Sequence, residues 1–377
     1  MGRAAGRVLA RDTSRRYARR HVRVCFSIFA VGLLCCACGH EEARAAQAPH
    51  ATGAEIHFDV NDPRPSPARP ADVRFVGMCD ASGAVPLDAH VFAVADDEDN
   101  LLRVYDADRG GEPLYSKDIS ADVSIFPRPA KDPRRPPKPP AEADIEAATM
   151  HQGHAYWLTS HGTNSKGKHK PERLRLFATT SPDYGKPLAV VGSTYMNLLV
   201  DLEADPRYRS FGLAKAAQIA PKEPGGLNIE GMTDRAAGGV FIGFRNPTPQ
   251  GRALLVVLEN PSGVIDGEAA RFGDPVVLEL DGLGIRGLSA WRGHYLIVAG
   301  DYAGTQDSRL YTWDGQSEQP QLVDLDLGDL NPEGFFTPED REQIMLLSDD
   351  GTVEVDGIAC KKLDDPAKKS FRGRWVL

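Results

Sequence analysis

The chain has 377 residues, 41% hydrophobic and 26% charged, ordinary proportions for a folded protein and enough length to bury one large core or two smaller ones. Its formal net charge of −9 is unevenly placed: residues 1–23 hold eight Arg against one Asp, which leaves 36 basic and 52 acidic residues, near −16, in the remainder. A body that acidic lacks the phosphate attraction on which nucleic-acid binding depends. It suits cations, basic ligands or plain solubility.

Residues 1–38 read as an export signal. An Arg-rich start precedes an apolar run of 14 residues, 24–37, too short to span a bilayer and right for a signal core. A small residue before Cys38 resembles a lipobox, with Cys35 where Leu is usual, and makes Cys38 the expected lipid-bearing residue. The alternative is a cleaved signal without an anchor. Residues 39–54 are small, polar and aperiodic, a flexible tether. The expected domain is 55–377, beginning with a strand over 55–60 and a Pro-rich connection at 64–70.

From there one unit recurs five times: an apolar run, a polar turn, a second apolar run, then weaker strands. Strands are expected at 91–96, 101–106 and 113–119 in the first copy, and at 144–150, 154–160, 174–179 and 188–192 in the second. The third has 228–233, 239–244, 253–259 and 275–280; the fourth has 285–290, 294–299, 309–313 and 321–326. The last has 332–337, 343–348, 352–357 and 372–377. Four strands per unit predict an all-β propeller with five visible blades. The strand at 55–60 either completes the last blade or belongs to a weak sixth.

Two insertions break the period. Residues 126–140 contain seven Pro and five basic residues, an exposed polyproline-like excursion that reads as a solvated loop or, more sharply, a basic patch. Residues 193–227 carry two short helical patterns, near 195–203 and 211–219. An insertion of that kind sits on one face of a repeat protein, covering a site or packing on the rim.

Two antiparallel strands of about six residues return the chain to its starting edge, so the first residue of one faces the last of the other. In a propeller these pairs ring one mouth of the central channel. Spacings of 15 or 16 residues give Asp80 with Asp96, Glu146 with His161, Glu230 with Arg245, Arg286 with Asp301, and Glu333 with Asp349. The Glu230–Arg245 and Arg286–Asp301 pairs are self-compensating and read as ion pairs or as ligand contacts. Glu146 and His161 form an orienting hydrogen bond or an acid–base couple. Asp80, Asp96, Glu333 and Asp349 lack counter-charges and meet where the ring shuts. They are solvated turn acids or the oxygen ligands of a calcium or magnesium ion. Cys79 and Cys360, the two cysteines left after the signal and Cys38, fall in the first and last units. In an oxidising compartment they close the ring as a disulfide; otherwise they are two buried thiols. Nucleophile-elbow, zincin, P-loop and dinucleotide motifs are absent from the sequence, and Asp96-x-Glu98-x-Asn100 does not complete an EF-hand.

The stretches CDASGAV…ADDEDNLLRVYD, DIEAA…SHGTNSKGK, NIEGM…IGFRNP and NPEG…LLSDDGT…CKKL…FRGRW resemble a bacterial family of unknown function, domain family 3616, across nearly all of 73–377. That resemblance implies no activity. More distantly the blades look like phytase-like or esterase-like propellers, of which the phytases use calcium at a carboxylate-rich mouth. Two functions follow as expectations. One is a monomeric ligand-binding or sensing module, held by its lipid on the periplasmic side of the envelope or else secreted, with a small or phosphorylated ligand. The other is a calcium-assisted phosphoester hydrolase. There Arg245 and Arg286 hold phosphate, Glu146 and His161 move protons, and Lys166 and Lys168 add contacts.

Overall fold

In this computed structural model the described residues are 72–180, 187–339 and 341–377. The signal, Cys38, the tether and the strand expected at 55–60 lie outside them. Five four-stranded antiparallel sheets make five blades. Blade 1 runs through Ala81–Pro86, Val91–Asp96, Leu101–Asp106 and Tyr115–Asp118, and blade 2 through Ile145–His151, His154–Thr159, Leu176–Thr180 and Val190–Tyr195. Blade 3 uses Asn228–Asp234, Val240–Asn246, Ala253–Leu258 and Val276–Leu278; blade 4 uses Gly284–Trp291, His294–Gly300, Arg309–Trp313 and Gln321–Val323. The first strand of each blade is innermost, and each inner strand packs beside the next until blade 5 meets blade 1.

Stacking explains the sequence pattern. A middle strand is covered on both faces by neighbouring blades, so its residues read as one apolar run. All six residues of Val91–Asp96, all six of Ala253–Leu258 and all five of Ile344–Ser348 are buried. The outermost strands Tyr115–Asp118 and Gln321–Val323 are short and half polar, which blunts an exposed edge.

Blade 5 differs from the sequence expectation. Its strands are Pro332–Phe336, Ile344–Ser348, Ser370–Val376 and, at the edge, Val73–Val76 from the start of the domain. The stretch expected as its third strand forms instead a separate hairpin, Glu354–Val355 with Ile358–Ala359. The apolar alternation of Ser370–Val376 wins the place because Phe371 buries fully against Phe75 and Tyr105, whereas Glu354 and Ile358 are exposed. Phe92 of blade 1 stacks on Phe336 of blade 5 at 4.6 Å and meets Phe75 edge-on at 5.2 Å, so aromatic burial worth about 1.5–3 kcal/mol per ring seals blade 1 to blade 5. A disulfide joins Cys79 to Cys360 across the same seam, with Cα atoms 5.9 Å apart.

Candidate functional site

Each inner strand carries one extra residue against its partner, a β-bulge near its start. Ile145 and Ala147 face Thr159 and Leu158, which leaves Glu146 unpaired. The same slip isolates Glu230, Arg286 and Glu333, and in blade 1 it isolates Ser82. A bulge turns its extra side chain off the ladder, here toward the axis, where Glu146, Glu230 and Glu333 line one small central cavity with Ser82 beside them. The residue after the bulge is small because inner strands nearly touch there. A Cβ on Gly83 would lie 2.6 Å from the Ala147 carbonyl carbon, and one on Gly334 would collide with the Ser82 carbonyl.

That register corrects several sequence pairs. The blade-1 counterpart of Glu230 is Ser82, not Asp80; Asp80 aligns with Asp144, Asn228 and Asn331, two positions earlier. The counterparts of Arg245 are Asp97, Ser160 and Asp349. Only Glu230–Arg245 forms as paired, at 2.8 Å with both side chains 4% exposed. Arg286 does not meet the Asp301 carboxylate. It reaches the next blade, bonding Glu333 and donating to Asn331 Oδ1 at 2.7 Å. Asp301 caps its own turn, accepting from the Thr305 and Gln306 amides at 2.9 and 3.0 Å. Arg245 also lies 3.6 Å from Glu333. Glu230, Arg245, Arg286 and Glu333 therefore form one buried network, and Glu333 is not the uncompensated acid the sequence implied. Burial, with Arg245 adjacent, lowers the Arg286 guanidinium to about 10, still charged at neutral pH.

Glu146 and His161 are not joined by a hydrogen bond or ion pair among the described residues. His161 lies one residue beyond the cross-strand position, at φ +57, and its Nδ1 pairs with the Thr159 carbonyl at 2.8 Å. Burial drops it to about 4, so the ring is neutral, and its Nε2 is buried without a partner. Lys166 and Lys168 stand exposed on the loop after it, and neither pairs with a residue of the channel among the described residues.

The expected metal quartet is also rearranged. The backbones of Asp80 and Asp349 form an isolated antiparallel bridge across the seam, and the Asp349 carboxylate adds repulsion on that of Asp80. Asp96 caps the Glu98 amide at 2.8 Å, and Glu333 is held by the arginines. Another group converges instead: one oxygen each from Asp97, Asp144 and Glu146 lies within 4.8 Å of the others, and Asp97 joins Asp80 and Glu98 in a second such trio. Oδ1 of Asp97 is buried and accepts no hydrogen bond. Asp144 accepts from Arg173 Nη1 at 2.7 Å. Glu146 receives no hydrogen bond or ion pair among the described residues. Burial and mutual repulsion push Glu146 and Asp97 well above the usual carboxylate range, and Asp144, Asp96 and Asp80 up to about 6, 7 and 8, with burial the first cause in each. An all-oxygen set of crowded, partly orphaned carboxylates fits a hard divalent cation such as calcium or magnesium. The signal that would have found Asp144 is the shared pattern polar–apolar–(Glu, Arg or Ser)–small.

The opposite mouth opens into a cavity of about 890 Å³ whose lining includes Met150, His151, Asp234 and Trp291. There His151 Nδ1 and Asp234 Oδ1 are 2.6 Å apart. Sequence reasoning placed nothing at this end.

Solved structures of similar fold include glutaminyl cyclase of Myxococcus xanthus, with TM-score 0.41 and 12% identity over 82% of this chain and 98% of that one. The PQQ-bound aldose sugar dehydrogenase of Streptomyces coelicolor follows at 0.38 and 14%, over 82% and 100%. An exo-β-1,3-galactanase of Phanerochaete chrysosporium gives 0.42 and 8%, over 80% and 64%. At these scores the likenesses carry no argument about chemistry. No curated protein is significantly similar in sequence. The chain is a five-bladed propeller that matches, over residues 187–330, the family described as Protein of unknown function (DUF3616).

Proposed function

We propose that the ring is a ligand-binding module that takes a divalent cation, calcium, at the mouth where the inner strands begin, through Asp97, Asp144 and Glu146. The observation that carries this reading is the convergence of those three carboxylates around the buried, unpartnered Oδ1 of Asp97. Leaving like charges at that distance costs free energy that a bound cation offsets. Ca²⁺ takes six to eight oxygens, so Asp80, Glu98 and solvent are the natural source of the rest. Export and lipid attachment at Cys38 belong to the same reading. They are supported by the apolar run before Cys38 and by the Cys79–Cys360 disulfide, a bond of oxidising compartments. Thermal unfolding of residues 72–377 with calcium, with magnesium and with EDTA tests the cation: a rise in Tm with calcium supports it, and identical curves remove it.

A second reading adds hydrolysis of phosphoesters at the same cation. Its supporting observation is the unpartnered Nε of buried Arg286, a donor left beside Glu230. Assay of phosphomonoesters with and without calcium separates the two, since a pure binding module gives no turnover in either.

A further inference from the structure

Because each blade starts at the cation mouth and returns there after two strands, the turns between second and third strands lie on that face. So do the crossings from one blade to the next. Two of these segments are long and basic. The crossing at 126–140 is pinched by paired backbone hydrogen bonds between Arg128 and Lys138, at 3.0 and 2.8 Å, so it projects as a closed loop. Arg128, Lys131, Arg134, Arg135 and Lys138 are all exposed on it. Only Arg134 has a carboxylate partner among the described residues, Asp132. The second segment, 161–173, presents exposed Lys166 and Lys168. The two lie side by side: Glu142, just past the first loop, pairs with Lys170 at 3.5 Å and Arg173 at 3.0 Å, and Arg175 donates to the Val123 carbonyl at 2.9 Å. Phe126, 60% exposed, stands at the base of the cationic loop.

We propose that this face docks on an anionic lipid surface. Six cations without carboxylate partners on a body of net charge near −16 form a local patch, not a global attraction, and a lipid headgroup layer is the partner that meets a patch without requiring a groove. An exposed aromatic beside the cations enters the headgroup–acyl boundary, whereas a nucleic-acid duplex keeps its bases stacked on one another and presents the ring with phosphates. The reading of Cys38 as a lipid anchor supplies proximity to such a surface. The docking itself rests on the two loops and goes beyond the cation reading.

The test is co-sedimentation of residues 72–377, which contain the whole closed ring, with phosphatidylcholine vesicles made with or without phosphatidylglycerol, in EDTA. Binding is expected only with the anionic lipid and weakens as salt rises. Arg135→Gln with Lys138→Gln lowers the partition constant roughly 25-fold, at roughly 5-fold per charge, and Phe126→Ala lowers it further, all with unchanged thermal unfolding. Equal binding to neutral vesicles, no binding to either, or indifference to the double variant overturns the proposal. Tighter binding to duplex DNA or heparin than to anionic vesicles does the same. EDTA keeps this result separate from the fate of the calcium site.

Discussion

The two sides of one channel mouth use the same bulged position in opposite ways. On blades 3 to 5 the bulge presents Glu230, Arg286 and Glu333, and Arg245 completes a network in which each acid meets a guanidinium. On blades 1 and 2 it presents Ser82 and Glu146, and the residues around them are Asp80, Asp97 and Asp144, against which Arg173 on Asp144 and Lys361, 3.9 Å from Asp80, are the cations in contact among the described residues. Backbone and burial are alike. The difference is charge balance. A compensated network holds strands in register and leaves few valences for a ligand, the Arg286 Nε among them, while an uncompensated one stores repulsion that a cation or protons relieve.

The largest expected effect comes from breaking the compensated side. Arg245→Ala strands Glu230 in a buried site and should cost about 3–5 kcal/mol in urea denaturation; a loss near zero would mean that the network does not hold the ring. Next is the seam. Replacing Cys79 and Cys360 together by Ser should cost about 2–4 kcal/mol, with the wild-type chain losing the same on reduction, and equal midpoints with and without reductant would contradict a covalent closure. The acidic side is sharpened through its pH dependence. Asp144, Asp96 and Asp80 hold protons to about 6, 7 and 8 when folded, against 3.8 in the reference state. A raised folded pKa contributes stability that is intact below about pH 4 and is lost as pH rises toward 8. The cation-free ring therefore weakens across that window, and the rise in Tm on adding calcium should be larger at pH 8 than at pH 5. Glu146→Gln removes one of the crowded carboxylates and should leave the cation-free ring no less stable than the unmodified one while abolishing the calcium-dependent rise in Tm; a clear loss of cation-free stability would contradict the repulsion assigned to it.

The blade plan was legible because its causes are local. Doubly covered middle strands such as Val240–Asn246 advertise themselves as apolar runs, and the disulfide followed from two leftover cysteines in the terminal units. The edge strand Val73–Val76 was not legible: four residues pair with a segment almost 300 positions away, and nothing local marks the partner. The site was half legible for a similar reason. Glu146, Glu230, Arg245, Arg286 and Glu333 were found from strand-end spacing, but spacing counts residues without knowing that a bulge adds one. A slip of one residue reverses which side chain faces the axis. Hence His161 stood in for Ser160, and Asp301 for a partner that Arg286 finds in the neighbouring blade; Asp80 lies two positions before Ser82, a shift that spacing hides equally well. Asp97 and Asp144 join the candidate site because blades 1 and 2 abut, which is a tertiary fact.

The most direct test of the charge-balance account is calorimetric titration of calcium into residues 72–377, the Glu146→Gln variant and the Asp301→Asn variant. The account predicts saturable binding in the first, its loss in Glu146→Gln and its retention in Asp301→Asn, whose carboxylate only caps a turn. Undiminished binding in Glu146→Gln, or no binding in the unmodified ring, would contradict it.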